Sequence, residues 1–340
     1  MTAFLGRRVL LAAVVLLTVS FGTFALMATK FSTQCPGQFS TNTKFPPLAS
    51  NAGQAATLYW RWVKGVPSGR ALGDVCGGAI AQPLWLAFGH TAALLAATGL
   101  LVVISSLLLG TLAAARAGSA LDGLLRAFSY AAWAVPSFLL ALMLQSIVHW
   151  AGWRYGIHTF AQSGWPGYCP NQYNFLNSID CPPAGSGAHY VVGVLRHLTV
   201  PAVALAFAFV GLHSRYLRSS LLVSLHAPFT TTAYAKGLPE RRVVLRHALR
   251  NSLATFTSAL LLDFGALFGA AMAVDWVFHL NGLGSLLVTE IAGVGASDGP
   301  RYLDAYAIQT LLTLAATLVV ASSVFAELAV AWLDPRARVR

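Results

Sequence analysis

Eleven Asp and Glu, nine His and four Cys stand in this 340-residue chain for acid–base, metal or thiol chemistry. The histidines fall in no HExxH or related ligand spacing, so no metal site is legible. No GxxxxGK[ST] loop occurs, so the chain lacks that cradle for ATP phosphates. No triad-like cluster is legible either, which argues against a catalytic role. The cysteines, Cys35, Cys76, Cys169 and Cys181, all lie in polar segments between apolar runs, and their spacing carries no zinc signature. Disulfides persist in oxidising compartments, so two bridges are expected. Cys35–Cys76 with Cys169–Cys181 is the simplest pairing, and three pairings remain open. One carboxylate is conspicuous: Asp263 sits inside an apolar run. A charge there costs about 2.5–3.5 kcal/mol on insertion scales, so it should face protein or water. It reads equally as a pathway residue meeting an amine or as a hydrogen-bond partner of another helix. Gly265 and Gly269 follow with GxxxG spacing, which allows close helix approach, here expected against a partner subunit.

The elements that hold these residues are set by composition. Hydrophobic residues make up 56% and charged residues 10%, against about 25% charged in a soluble domain. Most of the surface therefore faces lipid. A bilayer core of about 30 Å needs about 20 apolar residues as a helix. Six stretches qualify: 9–28, 91–115, 127–150, 191–212, 252–278 and 308–332. Pro136 and Pro201 are expected to kink the third and fourth. The fold class is thus all-α and membrane-integral, divided as 1–29 (N-terminus and first span), 30–90 (a long outer segment) and 91–340 (the remaining spans). With the N-terminus inside, 14 of the 22 Lys and Arg fall on the short inner segments, so both termini are read as cytoplasmic. The basic residues form no continuous patch, so nucleic acid is not the reading of the +11 net charge. Arg7 and Arg8 precede the first span as in a signal peptide, but residues 25–28 offer no A-x-A site and the run is long, so a retained helix is expected. Tyr59, Trp60 and Trp62 suit a short interfacial helix. His213, His226 and His247 are read as interfacial, and Asp275 and Glu327, near span ends, as meeting interfacial water.

The inner segment 214–251 is the most informative. Pro228 suits the first turn of a helix. Gly237 and Pro239 supply a stop. A short helix therefore spans 229–236. From Glu240 to Arg250 a second helix sets Arg242, Arg246 and Arg250 on one face and Val244, Leu245, Ala248 and Leu249 on the other, as at a membrane surface.

Thr232-Ala233-Tyr234-Ala235-Lys236-Gly237-Leu238, with Glu240-Arg241-Arg242-Val243 and Arg246-His247-Ala248-Leu249-Arg250-Asn251, resembles the coupling loop of dipeptide and oligopeptide ABC importer permeases. The likeness extends through Gly6-Arg7-Arg8, Ala134-Val135-Pro136-Ser137-Phe138, Gly282-Leu283-Gly284 and Leu333-Asp334-Pro335-Arg336. Pro228-Phe229 replaces the family's usual Asp-Tyr, and Thr231 its Arg. The resemblance implies a type I importer-like fold in a bacterial inner membrane. It implies that Phe229, Thr231, Thr232, Ala233, Lys236, Gly237 and Leu238 meet an ATPase. It implies a second homologous permease, two ATP-binding-cassette domains carrying ATP and magnesium, and an external substrate-binding protein, with no cofactor in this chain. Peptides are the implied cargo; nickel or another small solute is the alternative within the family. An ion-driven secondary transporter is the alternative outside it, disfavoured because the sequence shows no internal repeat.

Overall fold

A computed structural model describes residues 2–30, 49–65, 81–156, 159–161, 163–166, 187–292 and 305–333. All four cysteines, and with them the expected disulfides, lie outside these residues. Helices α1 (Thr2–Lys30), α3 (Ala81–Ala115), α6 (Ala188–Leu225) and α12 (Ala305–Leu333) are each long and apolar enough to cross a bilayer. Two further candidates are bent pairs. Helices α4 (Ala120–Ala134) and α5 (Ser137–Tyr155) meet at 94°. The stretch Glu240–Leu262 meets α10 (Phe264–Phe278) at 49°. The short helices are α2 (Ala52–Gly65), α7 (Pro228–Ala235), α8 (Glu240–Arg242) and α11 (Leu283–Ala292), while α9 (Leu249–Leu262) completes the second bent pair.

Several expectations change here. The stretch 127–150 is not one helix, because Val135 before Pro136 is extended (ψ 120) and the chain turns there. Pro201, by contrast, leaves α6 unbroken. At 38 residues α6 is about 57 Å long, nearly twice a hydrocarbon core. It is the axis of the fold, packed against α3, α4, α5, α9 and α10, and its buried face supplies much of the core. Small residues permit that approach. A Cβ on Gly110 would lie 2.9 Å from the Ser214 carbonyl oxygen, and one on Gly211 2.6 Å from that of Ser129. Gly211→Ala is therefore expected to push α4 off α6 and to cost about 1–3 kcal/mol, read as a lower melting temperature in detergent. An unchanged melting temperature would show that this seam has slack.

α1 runs beside α12, and polar groups join them. Gln309, fully buried, donates from Nε2 to the Ser20 carbonyl at 2.9 Å and accepts from Thr23 Oγ1 at 3.0 Å. Such pairs hold helices together where lipid supplies no hydrophobic drive. The aromatic helix α2 is only partly the interfacial element expected. Tyr59 and Trp62 are buried against Phe24 of α1, and only Trp60 is left exposed. Leu100, Ile104 and Leu108, one turn apart on α3, are exposed as a stripe suited to lipid.

Candidate functional site

The short helix expected in 214–251 is present as α7, with Pro228 in its first turn. Ala227 before it is extended (φ −75, ψ 150), so the chain leaves α6 sharply. At the far end Gly237 takes φ +74, a left-handed conformation natural to glycine. The Gly237 N–H donates to the Tyr234 carbonyl at 2.9 Å and the Leu238 N–H to that of Ala233 at 3.3 Å. These two bonds are a Schellman stop, satisfying carbonyls that a helix end leaves open.

The base of α7 is tied down. Thr230 is fully buried, and its Oγ1 donates to the Ser224 carbonyl at 2.7 Å, at the end of α6. Ser224 Oγ accepts from Asn251 Nδ2 at 3.0 Å and lies 3.0 Å from Ser252 Oγ. The end of α6, the start of α7 and the start of α9 thus share one polar knot. Thr230, Ser224 and Ser252 did not stand out in the sequence; only their burial reveals them. Ala233 is buried beside Thr230, whereas Thr231, Thr232, Lys236 and Gly237 are exposed and Leu238 is half-buried. Phe229 and Tyr234 are 43% and 44% exposed, so α7 presents two aromatic rings outward.

The second helix also differs from expectation. Residues Val243–Ala248 form a π segment between α8 and α9, closed by Leu249 N–H to the Val244 carbonyl. The wider turn places Val243 and Ala248, five residues apart, on one buried face. Val244 is also buried, but Leu245, expected on the apolar face, is exposed. Arg242, Arg246 and Arg250 are exposed as predicted.

Next to this region α4 is pinned to α6. Arg218 of α6 meets Asp122 of α4 through two bonds of 2.7 Å, Nε to Oδ1 and one Nη to Oδ2. Asp122, 1% exposed, also accepts from the Gly118 N–H at 3.0 Å, and Ser119 caps α4 toward the Asp122 N–H. No sequence spacing joins positions 122 and 218.

Asp263 stands at the break between α9 and α10 rather than inside a helix, and its side chain caps neither. Its Oδ2 lies 3.5 Å from Nε2 of His213 on α6. His213 is 1% exposed, ringed by Phe209, Tyr216 and Phe256, and so is not interfacial. Of the glycine pair, Gly265 faces Val319 of the chain's own α12, where a Cβ would meet Cγ1 at 3.0 Å; Gly269 has open space. The close approach expected with a partner subunit is thus made, at Gly265, within the chain. Asp275 corrects another expectation. It is fully buried, away from interfacial water, and accepts from the Gly282 and Ser285 N–H groups at 3.0 and 2.8 Å. It shapes the turn from α10 to α11, where His279 and Asn281 both have positive φ. Thr91 Oγ1 accepts from Leu283 N–H at 2.8 Å and ties that turn to α3. Glu327, the other acidic side chain placed near a span end, is not among those described.

Long apolar helices packed on a central rod, with a short helix tied to α6 and α9 by buried polar groups, are the architecture of a multi-span membrane protein. The chain belongs to the family of binding-protein-dependent transport system inner membrane components, which matches residues 106–339. It is a multi-pass permease subunit of an ABC importer in a bacterial inner membrane. It is similar to the oligopeptide transport system permease protein OppB of Mycobacterium tuberculosis, 25% identical over 350 residues and 100% of both chains. AppB of Bacillus subtilis, an oligopeptide transport system permease protein, is 25% identical over 353 residues, 99% of each. A putative peptide permease protein of Brucella ovis is 35% identical over 146 residues, 43% of each.

Proposed function

We propose that this chain forms half of a translocation pathway for di- and oligopeptides, crossing the membrane six times with both termini and α7 in the cytoplasm. The six crossings take α1, α3, the bent pair α4–α5, α6, the bent pair from Glu240 to Phe278, and α12. A second homologous permease supplies the other half. Two ATP-binding-cassette domains, carrying ATP and magnesium, dock on the face of α7 that holds Phe229, Thr231, Thr232, Lys236 and Gly237. Ala233 and Leu238 set the helix in place from behind. An external binding protein delivers the peptide. The kinship with oligopeptide and peptide permeases supports peptide over nickel or another small solute.

The observation that carries the docking role is the construction of α7 itself. Exposed aromatic rings stand on a helix whose base is knotted to α6 and α9, so a push on α7 is delivered to both spans. A helix held so firmly yet left uncovered suits a partner that presses on it. Purification in mild detergent should bring down an ATPase, a second permease and a binding protein. Phe229→Ala should weaken ATPase retention by about tenfold, the scale of one buried aromatic anchor. Purification of the chain alone from several mild detergents would count against the assembly.

A further inference from the structure

We propose that His213 and Asp263 together form a binding site for one proton, which latches the broken rod α9–α10 to α6. The inference rests on the permease reading above and adds a ligand to it.

The argument is an inventory of donors and acceptors. His213 Nδ1 lies 2.9 Å from the Phe209 carbonyl, which can only accept, so Nδ1 carries the hydrogen of that bond. In the neutral imidazole Nε2 is then an acceptor. It faces Asp263 Oδ2, also an acceptor when ionised, at 3.5 Å. Both atoms are buried, and neither has a hydrogen-bond partner. Two bare acceptors facing each other in an apolar surround repel and cost desolvation. One proton between Nε2 and Oδ2 converts that repulsion into a charge-assisted hydrogen bond. Its bulk route exists, because the Asp263 side chain is 31% exposed while His213 is sealed.

No other charge competes for this proton among the described residues. On α6, His189, Arg196 and His197 lie about four turns or more from His213, Arg215 lies over the Tyr130 ring at 4.6 Å and Arg218 is held by Asp122. On α4, Asp122 and Arg126 approach each other at 3.7 Å. On α5, Arg154 lies by the Tyr155 ring. On α10, Asp275 is enclosed in its turn. The charge on α9, Arg250, is at the opposite end of that helix from Asp263, and the one titratable group on α3, His90, stacks on Trp165. The titratable group against the imidazole besides Asp263 is Tyr216, edge-on at 5.9 Å.

The location gives the proton leverage. Asp263 is the hinge residue itself, where the rod turns by 49° with no proline. The far end of that rod reaches through the π segment to α7. Holding Asp263 to α6 fixes the bend; losing the proton frees it.

Conservative substitutions separate this from simple packing. Asp263→Asn presents an N–H to Nε2, and His213→Gln presents one to the carboxylate, so each closes the latch without a proton. Asp263→Ala leaves it open. The test is peptide uptake by the complete transporter in liposomes, with equal pH on both sides, from pH 5.5 to 8.5. The wild type should lose about tenfold in uptake through a one-proton step as pH rises, the scale of one charge-assisted hydrogen bond. Asp263→Asn and His213→Gln should stay near the low-pH rate throughout, and Asp263→Ala should stay low throughout. A flat wild-type profile, or the same step in either amide variant, overturns the proposal. ATPase stimulation by the binding protein, measured in parallel, reports assembly. If the wild type lacks that stimulation, the permease reading fails instead. If one amide variant does not assemble, pH-difference infrared spectra of the assembled wild type decide the matter. A protonation change shared by an imidazole and a carboxylate supports the site, and its absence removes it.

Discussion

Arg218→Ala is expected to destabilise the membrane domain by about 3–5 kcal/mol, the cost of stranding one member of a buried ion pair. Asp122 would keep the Gly118 N–H at 3.0 Å and Arg126 at 3.7 Å, but would lose both short bonds of the guanidinium fork. A carboxylate 1% exposed cannot turn to water for replacement. Since the pair joins α4 to α6, the α4–α5 elbow would lose its anchor on the central rod. Arg218→Lys should restore little, because a single ammonium cannot span both carboxylate oxygens. The double change Asp122→Leu with Arg218→Met should recover much of the loss, because no buried charge remains. Melting curves of the purified protein in detergent give the comparison. An Arg218→Ala protein that melts with the wild type would show that the fork adds nothing to the fold.

Gly237→Val is expected to reduce peptide uptake by about tenfold or more while leaving the membrane domain folded. The backbone there has φ +74, a region costing an L-residue about 1–2 kcal/mol and a β-branched one more. A Cβ at Gly237 meets no atom within 4 Å, so the effect is purely conformational. Relief of that strain breaks the Gly237–Tyr234 and Leu238–Ala233 bonds, and the stop of α7 unwinds. The Thr230–Ser224 tie remains, so the helix stays attached but loses its fixed direction. ATP hydrolysis should continue with little peptide moved. Gly237→Asn should keep more than half the uptake, because Asn tolerates the left-handed region. Equal uptake by Gly237→Val and the wild type would remove the coupling role from this turn.

Local pattern was readable wherever one residue's chemistry decides the outcome alone. Pro228 and Gly237 bound α7 from the sequence, because proline lacks an N–H and glycine accepts positive φ whatever surrounds them. Pro136 likewise marked a bend, though not its 94° size, which depends on how α4 and α5 each pack against α6. The elements that sequence reasoning misplaced are those in which two distant segments choose each other. Asp275 looked interfacial because it follows an apolar run, yet the N–H groups of Gly282 and Ser285 enclose it. A 3.6-residue period groups Leu245 with Val244 and Ala248 on one face, and the wider π turn leaves it exposed while they are buried.

Taken alone, then, the 340 residues determine a helical membrane protein, its apolar stretches and the bounds of its short outward helix, because hydropathy and the backbone limits of proline and glycine act within a few residues. Only the tertiary structure decided that Asp122 answers Arg218, that Thr230 and Ser252 knot α7 to two other helices, and that Asp263 meets His213 at a hinge. Those partners lie up to 96 residues apart. A buried polar group is satisfied by whatever the packing brings within about 3 Å, and spacing along the chain does not encode that neighbour.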